Sequence, residues 1–403
     1  MKILMLHNRY LVPGGEDQST AAEVALLREN GCEVELLEED NRRVEELGKL
    51  RTAARTLWSQ ESFRRVRNRL RQGRHDVVHV QNFFPLWSPS VYYAAADCGV
   101  PVVQTLHNYR LTCVNAYLFR DGHVCEDCLG RFMPWMGIRH ACYRQSRAAS
   151  AVLASMIGLH KLLRTWERKV QVYVALTQFA RQKYIAGGLP EEKIAVKPNF
   201  VYPAPQPGQG GGGYALFVGR LSPEKGIATL LKAWKTAGGC FPLKIVGDGP
   251  CAEQVVAATE STQSIEYLGR RAPDAVLRLM SEADVMVFPS EWYEGMPRTI
   301  VEAFAVGTPV VASNLGASGA MVIDRENGFH FKAGDADALS EVVIRCKRNP
   351  AKLREMRANA RRSFETLYSG PANFEMLLEI YHKAQSAVGR AIDTTGTWEK
   401  LDA

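Results

Sequence analysis

Residues 284–313 read DVMVFPSEWYEGMPRTIVEAFAVGTPVVAS: an apolar run, a polar turn, a helical stretch and a second apolar run. Two apolar runs joined through a helix predict parallel strands of a sheet that is covered on both faces. The turn holds Glu294, and Glu302 follows eight residues later on the predicted helix. A surface loop and a solvated helix face would also explain the two acids, so the interpretation depends on the rest of the chain.

The same alternation of apolar runs and helical stretches extends along all 403 residues. A Pro/Gly-rich linker, PNFVYPAPQPGQGGGG at 198–213, separates two such series and is the expected hinge. A chain of this length exceeds what one core supports. The sequence therefore predicts an α/β protein of two doubly wound, Rossmann-like domains, 1–198 and 199–370, facing each other across a cleft. A helix at about 371–388 is expected to pack back on the first domain.

Composition excludes several classes of protein. The hydrophobic fraction of 46% and the charged fraction of 23% are typical of globular domains. No apolar run reaches the roughly 18 residues that span a bilayer, and the longest, Ala148 to Leu159, predicts a packed helix. The N-terminal MKILMLHNRY predicts a buried strand rather than a signal peptide, so a cytoplasmic protein is expected. No recognition motif accompanies the net charge of +7, so nucleic acid is not an expected partner.

Positive charge is concentrated in residues 51–75, which hold eight arginines and one acid, Glu61. The apolar residues of this segment suit one stripe of a helix whose other faces carry arginine; they are Leu57, Phe63, Val66 and Leu70. A basic amphipathic helix predicts peripheral contact with anionic lipid headgroups, here on the inner face of the plasma membrane. The alternative is an ordinary solvated helix over the core.

Two cations, Arg220 and Lys225, follow the strand YALFVG in the motif GRLSPEKG. Both leave the carboxyl end of a strand, where a guanidinium and an ammonium suit phosphate oxygens. Pro297 predicts a helix that begins at the turn after DVMVFPS, and the free N–H groups of a helix N-terminus favour an anion. Carboxylates accept hydroxyl groups but do not bind phosphate. The pattern therefore predicts a diphosphate between the cations and this helix, with a sugar at Glu294 and a ribose at Glu302.

A glycine-rich turn leaves another class of enzyme open. Gly247-Asp248-Gly249 follows the strand PLKIV and opens a helix, as in a dinucleotide-binding fingerprint, and Glu266 lies 19 residues after Gly247. A nicotinamide enzyme is therefore an alternative. Against it, the fingerprint usually lies in the first βα turn of its domain, whereas the strand YALFVG precedes this one.

These motifs together resemble the retaining glycosyltransferases of family 4, which have the GT-B fold. The resemblance rests on Glu-Gly-x6-Glu at 294–302, Gly-Arg-Leu-x3-Lys-Gly at 219–226 and IVGDGP at 245–250. It implies a hexosyltransferase that uses a UDP- or GDP-sugar, retains the anomeric configuration and needs no catalytic metal or other cofactor. It further implies that the first domain binds the acceptor and the second binds the donor.

The resemblance also implies roles for individual residues. The implied catalytic residues are Glu294, Arg220, Lys225 and His107, the last at the end of the strand VPVVQTL, where a merely satisfied polar residue is the alternative. The implied donor-binding residues are Gly14, Gly15, Gly219, Gly247, Gly249, Leu268, Gly295, Met296, Arg298, Thr299 and Glu302. Gly14 and Gly15 belong to the turn Val12-Pro13-Gly14-Gly15-Glu16, where the absence of side chains lets backbone N–H groups approach the diphosphate and the acceptor.

Four of the nine cysteines are grouped within 113–142 with the spacing C-x11-C-x2-C-x13-C. They are Cys113, Cys125, Cys128 and Cys142. The spacing suits a closed, structural Zn²⁺ site, in which His123 or His140 could replace an outlying cysteine. A redox pair or buried thiols without metal are the alternatives. Because this insertion follows His107, it is expected to shape the acceptor side of the cleft.

The resemblance and the basic segment together predict a lipid-linked oligosaccharide acceptor in polysaccharide assembly. Two other classes remain open. A sugar-nucleotide epimerase or a phosphorylase of the same architecture would not move label from an NDP-sugar to a separate acceptor. A zinc-containing binding or regulatory protein without turnover would keep its function after Lys225 or Glu294 is replaced by alanine.

Overall fold

The computed structural model describes residues 1–11, 14–392 and 398–400, and it divides into two compact units. Unit 1 comprises Met1–Leu118, Glu126–Lys197 and Asn373–Ala403; unit 2 comprises Phe119–Cys125 and Pro198–Ala372. Val12 and Pro13 of the predicted glycine turn lie outside the described residues.

Most strands coincide with the apolar runs of the sequence. In chain order they are β1 (Lys2–Arg9), β2 (Glu33–Asp40), β3 (Val77–Val80), β4 (Val102–Leu106), β5 (Phe119–Arg120), β6 (His123–Val124), β7 (Val172–Ala175), β8 (Ile194–Val196), β9 (Ala215–Val218), β10 (Leu243–Val246), β11 (Ile265–Gly269), β12 (Val285–Phe288), β13 (Val310–Ser313), β14 (Gly328–Phe331), β15 (Arg390–Ile392) and β16 (Trp398–Lys400). The short pairs β5–β6 and β15–β16 are antiparallel.

Helices connect the strands of both units. They are α1 (Gly15–Glu29), α2 (Arg43–Leu57), α3 (Gln60–Gly73), α4 (Ser90–Asp97), α5 (Trp135–Arg139), α6 (Arg147–Leu162), α7 (Thr165–Arg168), α8 (Gln178–Ala186), α9 (Ile227–Thr236), α10 (Ala252–Ser261), α11 (Pro273–Glu282), α12 (Arg298–Ala305), α13 (Gly316–Met321), α14 (Ala336–Arg348), α15 (Pro350–Ser363) and α16 (Gly370–Ser386). None of the helices in the described part of the chain has the length and apolar character that crossing a bilayer requires.

Each unit contains a six-stranded sheet whose neighbouring strands are parallel. The strand order is β2-β1-β3-β4-β7-β8 in unit 1 and β11-β10-β9-β12-β13-β14 in unit 2. In both sheets the chain first builds to one side of a central strand, β1 or β9, and then continues on its other side. The predicted fold class, two doubly wound α/β domains, is therefore confirmed.

The two cores are formed by separate sets of apolar residues. Ile245, Val287 and Trp234 are among the buried residues of the unit 2 core. The unit 1 core contains β-strand residues such as Val77 together with Tyr381 of α16. The carboxyl-terminal helix thus contributes to the core of unit 1.

The predicted apolar stripe within 51–75 forms only in part: Phe63, Val66 and Leu70 share α3, but two helices replace the single expected one. α2 ends at Leu57, and Ser59 caps α3 by accepting a hydrogen bond from the N–H of Ser62 at 3.1 Å. Leu57 therefore lies on a different helix from Val66 and Leu70, which are buried in unit 1.

Acids of neighbouring elements pair with the arginines of α3. The ion pairs are Arg65–Glu39 at 2.9 Å, Arg67–Asp97 at 3.4 Å, Arg69–Glu35 at 3.1 Å and Arg71–Asp97 at 3.3 Å. Four of the five arginines of α3 thus pair with acids of unit 1. The pairing favours the alternative interpretation, a charged helix face over the core.

Candidate functional site

A cavity in unit 2 lies where the strand order of the sheet reverses, between β9 and β12. Ligands of open α/β sheets bind at such a reversal, beyond the carboxyl ends of the strands. The cavity has a volume of about 280 Å³, and Gly219, Lys225, Ser290 and Thr299 are among its lining residues. Three of these four were predicted site residues; Ser290 was not, although it follows a strand at the same edge of the sheet.

Two glycines allow the loops around this cavity to touch through their backbones. A Cβ on Gly247, where φ is 146°, would lie 1.8 Å from the carbonyl oxygen of Gly219. A Cβ on Gly226, where φ is 72°, would lie 1.9 Å from the carbonyl oxygen of Pro289. Since no other residue fits these positions, the loops after β9, β10 and β12 converge only with glycine there.

The structure joins Lys225 and Glu294, which the sequence assigned to different parts of a ligand. Lys225 Nζ donates to Glu294 Oε1 at 2.7 Å, and Ser290 Oγ donates to the same oxygen at 2.8 Å. Glu294 is buried, whereas the lysine side chain is partly exposed at the cavity. An ammonium has three N–H donors, so the ion pair orients Lys225 and leaves it donors for an anion.

A second ion pair links Glu302 to Arg298 on the same face of α12. Arg298 Nε donates to Glu302 Oε1 at 2.9 Å. Burial raises the pKa of Glu302, and the guanidinium opposes that shift only in part. Arg298 Nη1 is buried and has no hydrogen-bond partner among the residues that the structure describes. Such a donor is satisfied when a ligand oxygen reaches it.

The start of α12 differs from the prediction by one position. Pro297 is the N-cap residue of this helix rather than part of its first turn, and no side chain caps the helix. Gly295 is half-buried, and the sulfur of buried Met296 accepts a hydrogen bond from the N–H of Asn199 at 2.9 Å. The helix thus begins at Arg298, and the backbone N–H groups of Arg298 and Thr299 belong to its first turn.

The remaining predicted residues of unit 2 lie at the same edge of the sheet. Arg220 is exposed directly after β9, and no ion pair of its side chain is found in the described part of the chain. Gly249 follows β10, where a Cβ would lie 2.4 Å from the carbonyl oxygen of Leu221. Leu268 is half-buried near the carboxyl end of the edge strand β11.

A separate cavity of about 360 Å³ lies in unit 1, beside the reversal of its own strand order. Tyr10, Asn82, His107 and Arg110 are among its lining residues. They follow β1, β3 and β4 at the carboxyl ends of these strands. The predicted residue His107 therefore lines a small cavity of unit 1.

His107 is held in one neutral form. Its Nε2 lies 2.8 Å from the side-chain oxygen of Gln81, so Nε2 carries the proton and donates it. Burial lowers the pKa of His107 to about 3, so the ring is uncharged near pH 7. Nδ1 is consequently an acceptor, the form that a hydroxyl group of a sugar requires.

A buried ion pair contacts the side chain of Gln81, which holds His107. Lys197 Nζ lies 2.9 Å from Glu23 Oε2, and Gln81 Nε2 donates to the other oxygen of Glu23. Burial opposes the ionisation of Glu23, but the Lys197 ammonium lowers its pKa overall. Burial also lowers the pKa of neighbouring His79 to about 4. This group could not be predicted from the sequence, because Lys197 follows β8 like any lysine at a strand end.

The turn at Gly14 and Gly15 opens α1. Asp17 Oδ2 accepts a hydrogen bond from the N–H of Gly14 at 2.8 Å, and Asp17 Oδ1 lies 2.9 Å from His7 Nε2. A Cβ on Gly14 or Gly15 would meet no atom of the described residues within 4 Å. Glycine at these positions therefore leaves space beside the helix N-terminus instead of relieving a clash.

Glu16, which the sequence analysis noted only as part of this turn, has an unusual environment. Tyr10 donates its hydroxyl hydrogen to Glu16 Oε2 at 3.1 Å, while Oε1 is buried and has no partner in the described residues. Burial raises the pKa of Glu16 to about 8. The carboxyl group is therefore mostly protonated at pH 7 and can donate a hydrogen bond.

The four grouped cysteines differ in burial. Cys113 and Cys128 are buried, Cys125 and Cys142 are half-buried, and Cys113 Sγ donates to the side-chain oxygen of Asn115 at 2.9 Å. Across residues 1–11, 14–392 and 398–400, no three or more His, Cys, Asp or Glu side chains are arranged to hold a metal ion. The structural Zn²⁺ stays a prediction from the cysteine spacing.

Two family profiles match adjoining parts of the chain. Residues 13–204 match Glycosyltransferase Family 4, and residues 204–363 match Glycosyl transferases group 1. Together these matches include every predicted site residue and every strand of the two six-stranded sheets except β1.

Curated relatives match over part of their length. The amylovoran biosynthesis glycosyltransferase AmsK of Erwinia amylovora is 27% identical over 234 residues, which are 53% of this chain and 56% of the relative. The phosphatidyl-myo-inositol mannosyltransferase of Mycobacterium leprae is 31% identical over 222 residues, 52% of this chain and 58% of the relative. The chain thus spans about half the length of the curated relatives it matches.

Solved structures with the same fold cover nearly the whole chain. Anabaena HepE in complex with UDP and glucose has a TM-score of 0.63 at 19% identity, covering 94% of this chain and 98% of that one. A glycosyltransferase of Rickettsia africae has a TM-score of 0.68 at 16% identity, covering 95% and 98%. At these identities the likeness shows the fold alone.

Proposed function

We infer that this chain, which belongs to the glycosyltransferases of the GT-B type, transfers a hexosyl unit from a nucleoside-diphosphate sugar to a saccharide acceptor with retention of anomeric configuration. The observation that carries this proposal is the Lys225–Glu294 ion pair beside Thr299, in the cavity at the reversal of the unit 2 sheet. A cation held there by a buried acid is suited to a ligand that is both anionic and rich in hydroxyl groups.

The diphosphate of the donor is assigned to the cations and amides of unit 2. Lys225 and Arg220 supply positive charge, and the first turn of α12 supplies backbone N–H groups. The ion pair with Glu294 fixes the lysine before substrate arrives, so little reorganisation is needed when charge develops on the departing phosphate. Glu302, whose Oε1 is engaged by Arg298, retains its second oxygen for ribose hydroxyls.

Retention is proposed to follow from front-face substitution. The bond from the anomeric carbon to the phosphate oxygen breaks, and the bond to the acceptor oxygen forms on the same face. The acceptor proton moves to an oxygen of the departing phosphate. A covalent route would need a carboxylate nucleophile and an acid/base partner. Support for the front-face route comes from Glu294, because the hydrogen bonds from Lys225 and Ser290 stabilise its carboxylate and make it a weaker nucleophile.

The donor is proposed to be a UDP- or GDP-sugar, with the base beside the backbone of Gly247 and Leu268. Support for uridine comes from the Anabaena structure of the same fold, which contains UDP and glucose. The acceptor is proposed to be a lipid-linked saccharide of polysaccharide assembly, reached at the inner face of the plasma membrane. The names of the relatives support it, since one belongs to amylovoran biosynthesis and another is a phosphatidyl-myo-inositol mannosyltransferase.

Transfer and stereochemistry can be tested together by NMR. UDP-glucose and GDP-mannose, each labelled with ¹³C at the anomeric carbon, are incubated with the chain and a polyprenyl-diphosphate-linked saccharide. We expect one donor to pass its label to the acceptor in the α configuration of the donor, since both bonds involve the same face. A β-linked product would contradict retention. Label that stays on the nucleotide with an altered sugar would identify an epimerase.

A further inference from the structure

Unit 1 carries an exposed apolar surface that the proposed donor site does not use. Its members, here called the apolar patch, are exposed by 36% to 69% and are Phe132, Met133, Trp135, Leu159, Leu162 and Leu163. Single exposed apolar residues are ordinary on proteins, whereas a large continuous group marks an interaction surface.

The patch is continuous because the segment before α5 packs on the end of α6. A Cβ on Gly158 of α6 would lie 3.6 Å from the side chain of Met133. One turn further along, Lys161 Nζ donates to the carbonyl oxygen of Arg131 at 2.8 Å. Leu162 follows four positions after Gly158 and therefore lies on the same face of the helix, next to Phe132 and Met133.

The residues around the patch are strongly basic. Residues 131–169 contain eight Lys and Arg and one acid, Glu167, which pairs with Arg164. Arg131 and Arg139 are exposed, and the guanidinium of Arg131 lies 5.9 Å from the ring centre of Trp135. This basic rim lies beside six large exposed apolar side chains, whereas Trp58 is exposed at the start of α3, whose arginines pair with acids of neighbouring elements.

We propose that the apolar patch and its basic rim bind the surface of an anionic lipid bilayer. Aromatic side chains such as Trp135 and Phe132 suit the boundary between headgroups and acyl chains, and the surrounding cations suit anionic headgroups. A symmetric pair of this chain joined through the same surface would bring two basic rims together. Their repulsion disfavours a second copy of the chain as the partner of this surface. The interaction surface is thus assigned to residues 131–169 instead of 51–75.

This inference extends the proposed function only by explaining how the chain reaches a lipid-linked acceptor. Vesicle binding itself needs neither donor nor transfer. If vesicle binding is lost and UDP binding is intact, only the assignment of the patch is affected. If UDP binding is lost and vesicle binding is intact, only the proposed function is affected.

Co-sedimentation of the full chain with vesicles of phosphatidylglycerol and phosphatidylcholine tests the proposal. We expect Phe132→Ser/Leu162→Ser to weaken binding at least tenfold, because these are the most exposed members of the patch. Arg131→Gln/Arg139→Gln should weaken it about 25-fold, since each basic residue near the surface contributes about fivefold. Vesicles of phosphatidylcholine alone should bind wild-type protein far more weakly.

A matched control is Val256→Ser/Ile323→Ser, which removes exposed apolar residues from unit 2 and should leave vesicle binding unchanged. Brominated lipids should quench the fluorescence of wild-type protein more than that of Trp135→Phe, a substitution that keeps an aromatic ring. Wild-type binding by both patch variants would overturn the proposal. So would a patch variant that changes only the oligomeric state in sedimentation velocity, since the surface would then be a protein interface.

Discussion

Lys225→Ala is expected to lower the rate of glycosyl transfer by about 10²- to 10³-fold. The ammonium lies 2.7 Å from Glu294 at the cavity of unit 2, where it is already positioned to stabilise charge on the departing diphosphate. Because the donor diphosphate is charged before transfer and gains charge in the transition state, kcat should fall and kcat/KM should fall further. Steady-state kinetics with the donor that NMR identifies would measure both.

The same change leaves Glu294 buried without its cation, so folding has to be measured separately. Lys225→Ala/Glu294→Gln should recover much of the thermal stability that Lys225→Ala loses, but not its activity. Lys232→Ala, which removes an exposed lysine from α9, is the matched control and should leave stability and transfer unchanged. Wild-type transfer by a folded Lys225→Ala variant would remove the catalytic role of this lysine.

Lys197→Met is expected to lower the free energy of unfolding of unit 1 by about 3–5 kcal/mol. It leaves Glu23, which is 4% exposed, without the ammonium 2.9 Å away. The pKa of Glu23 is lowered in the folded chain, so the pair stabilises the fold above the ordinary glutamate value of 4.5 and loses this effect as the pH falls below it. Urea denaturation at pH 7 and pH 4 would measure the difference.

Two variants make this measurement specific. Lys197→Met/Glu23→Gln should regain a large part of the lost free energy, because no uncompensated charge remains in the core. Lys183→Met breaks a partly exposed ion pair with Glu126, 2.6 Å long, and should cost less than about 1 kcal/mol. Equal effects of Lys197→Met and Lys183→Met would contradict the importance assigned to burial.

The fold could be predicted from the sequence because parallel strands buried on both faces consist of apolar residues throughout. β9 and β12 are examples, and the turns that follow them contain the glycines and charged residues of the candidate site. The edge of the sheet at which the candidate site lies could also be predicted, because the carboxyl ends of parallel strands share one edge.

The pairing of charges could not be predicted, because it depends on residues far apart in the chain. Lys225 and Glu294 are 69 residues apart in the sequence. Lys197 and Glu23, which form an ion pair in unit 1, are separated by most of the sequence of its first two segments. Arg65 on α3 pairs with Glu39 on β2 in the same way. The helix predicted from Ala148 to Leu159 does form within α6, but sequence alone did not show that its carboxyl-terminal leucines stay exposed beside Phe132.

Isothermal titration calorimetry with UDP and GDP tests the central claim, that paired cations of unit 2 bind a nucleoside diphosphate. We predict that wild-type protein binds one of them and that Arg220→Ala/Lys225→Ala weakens that affinity at least about tenfold, since at least one charge-assisted hydrogen bond of about 1.5 kcal/mol is lost. If neither nucleotide binds, or if the double substitution leaves the affinity unchanged, the account is contradicted.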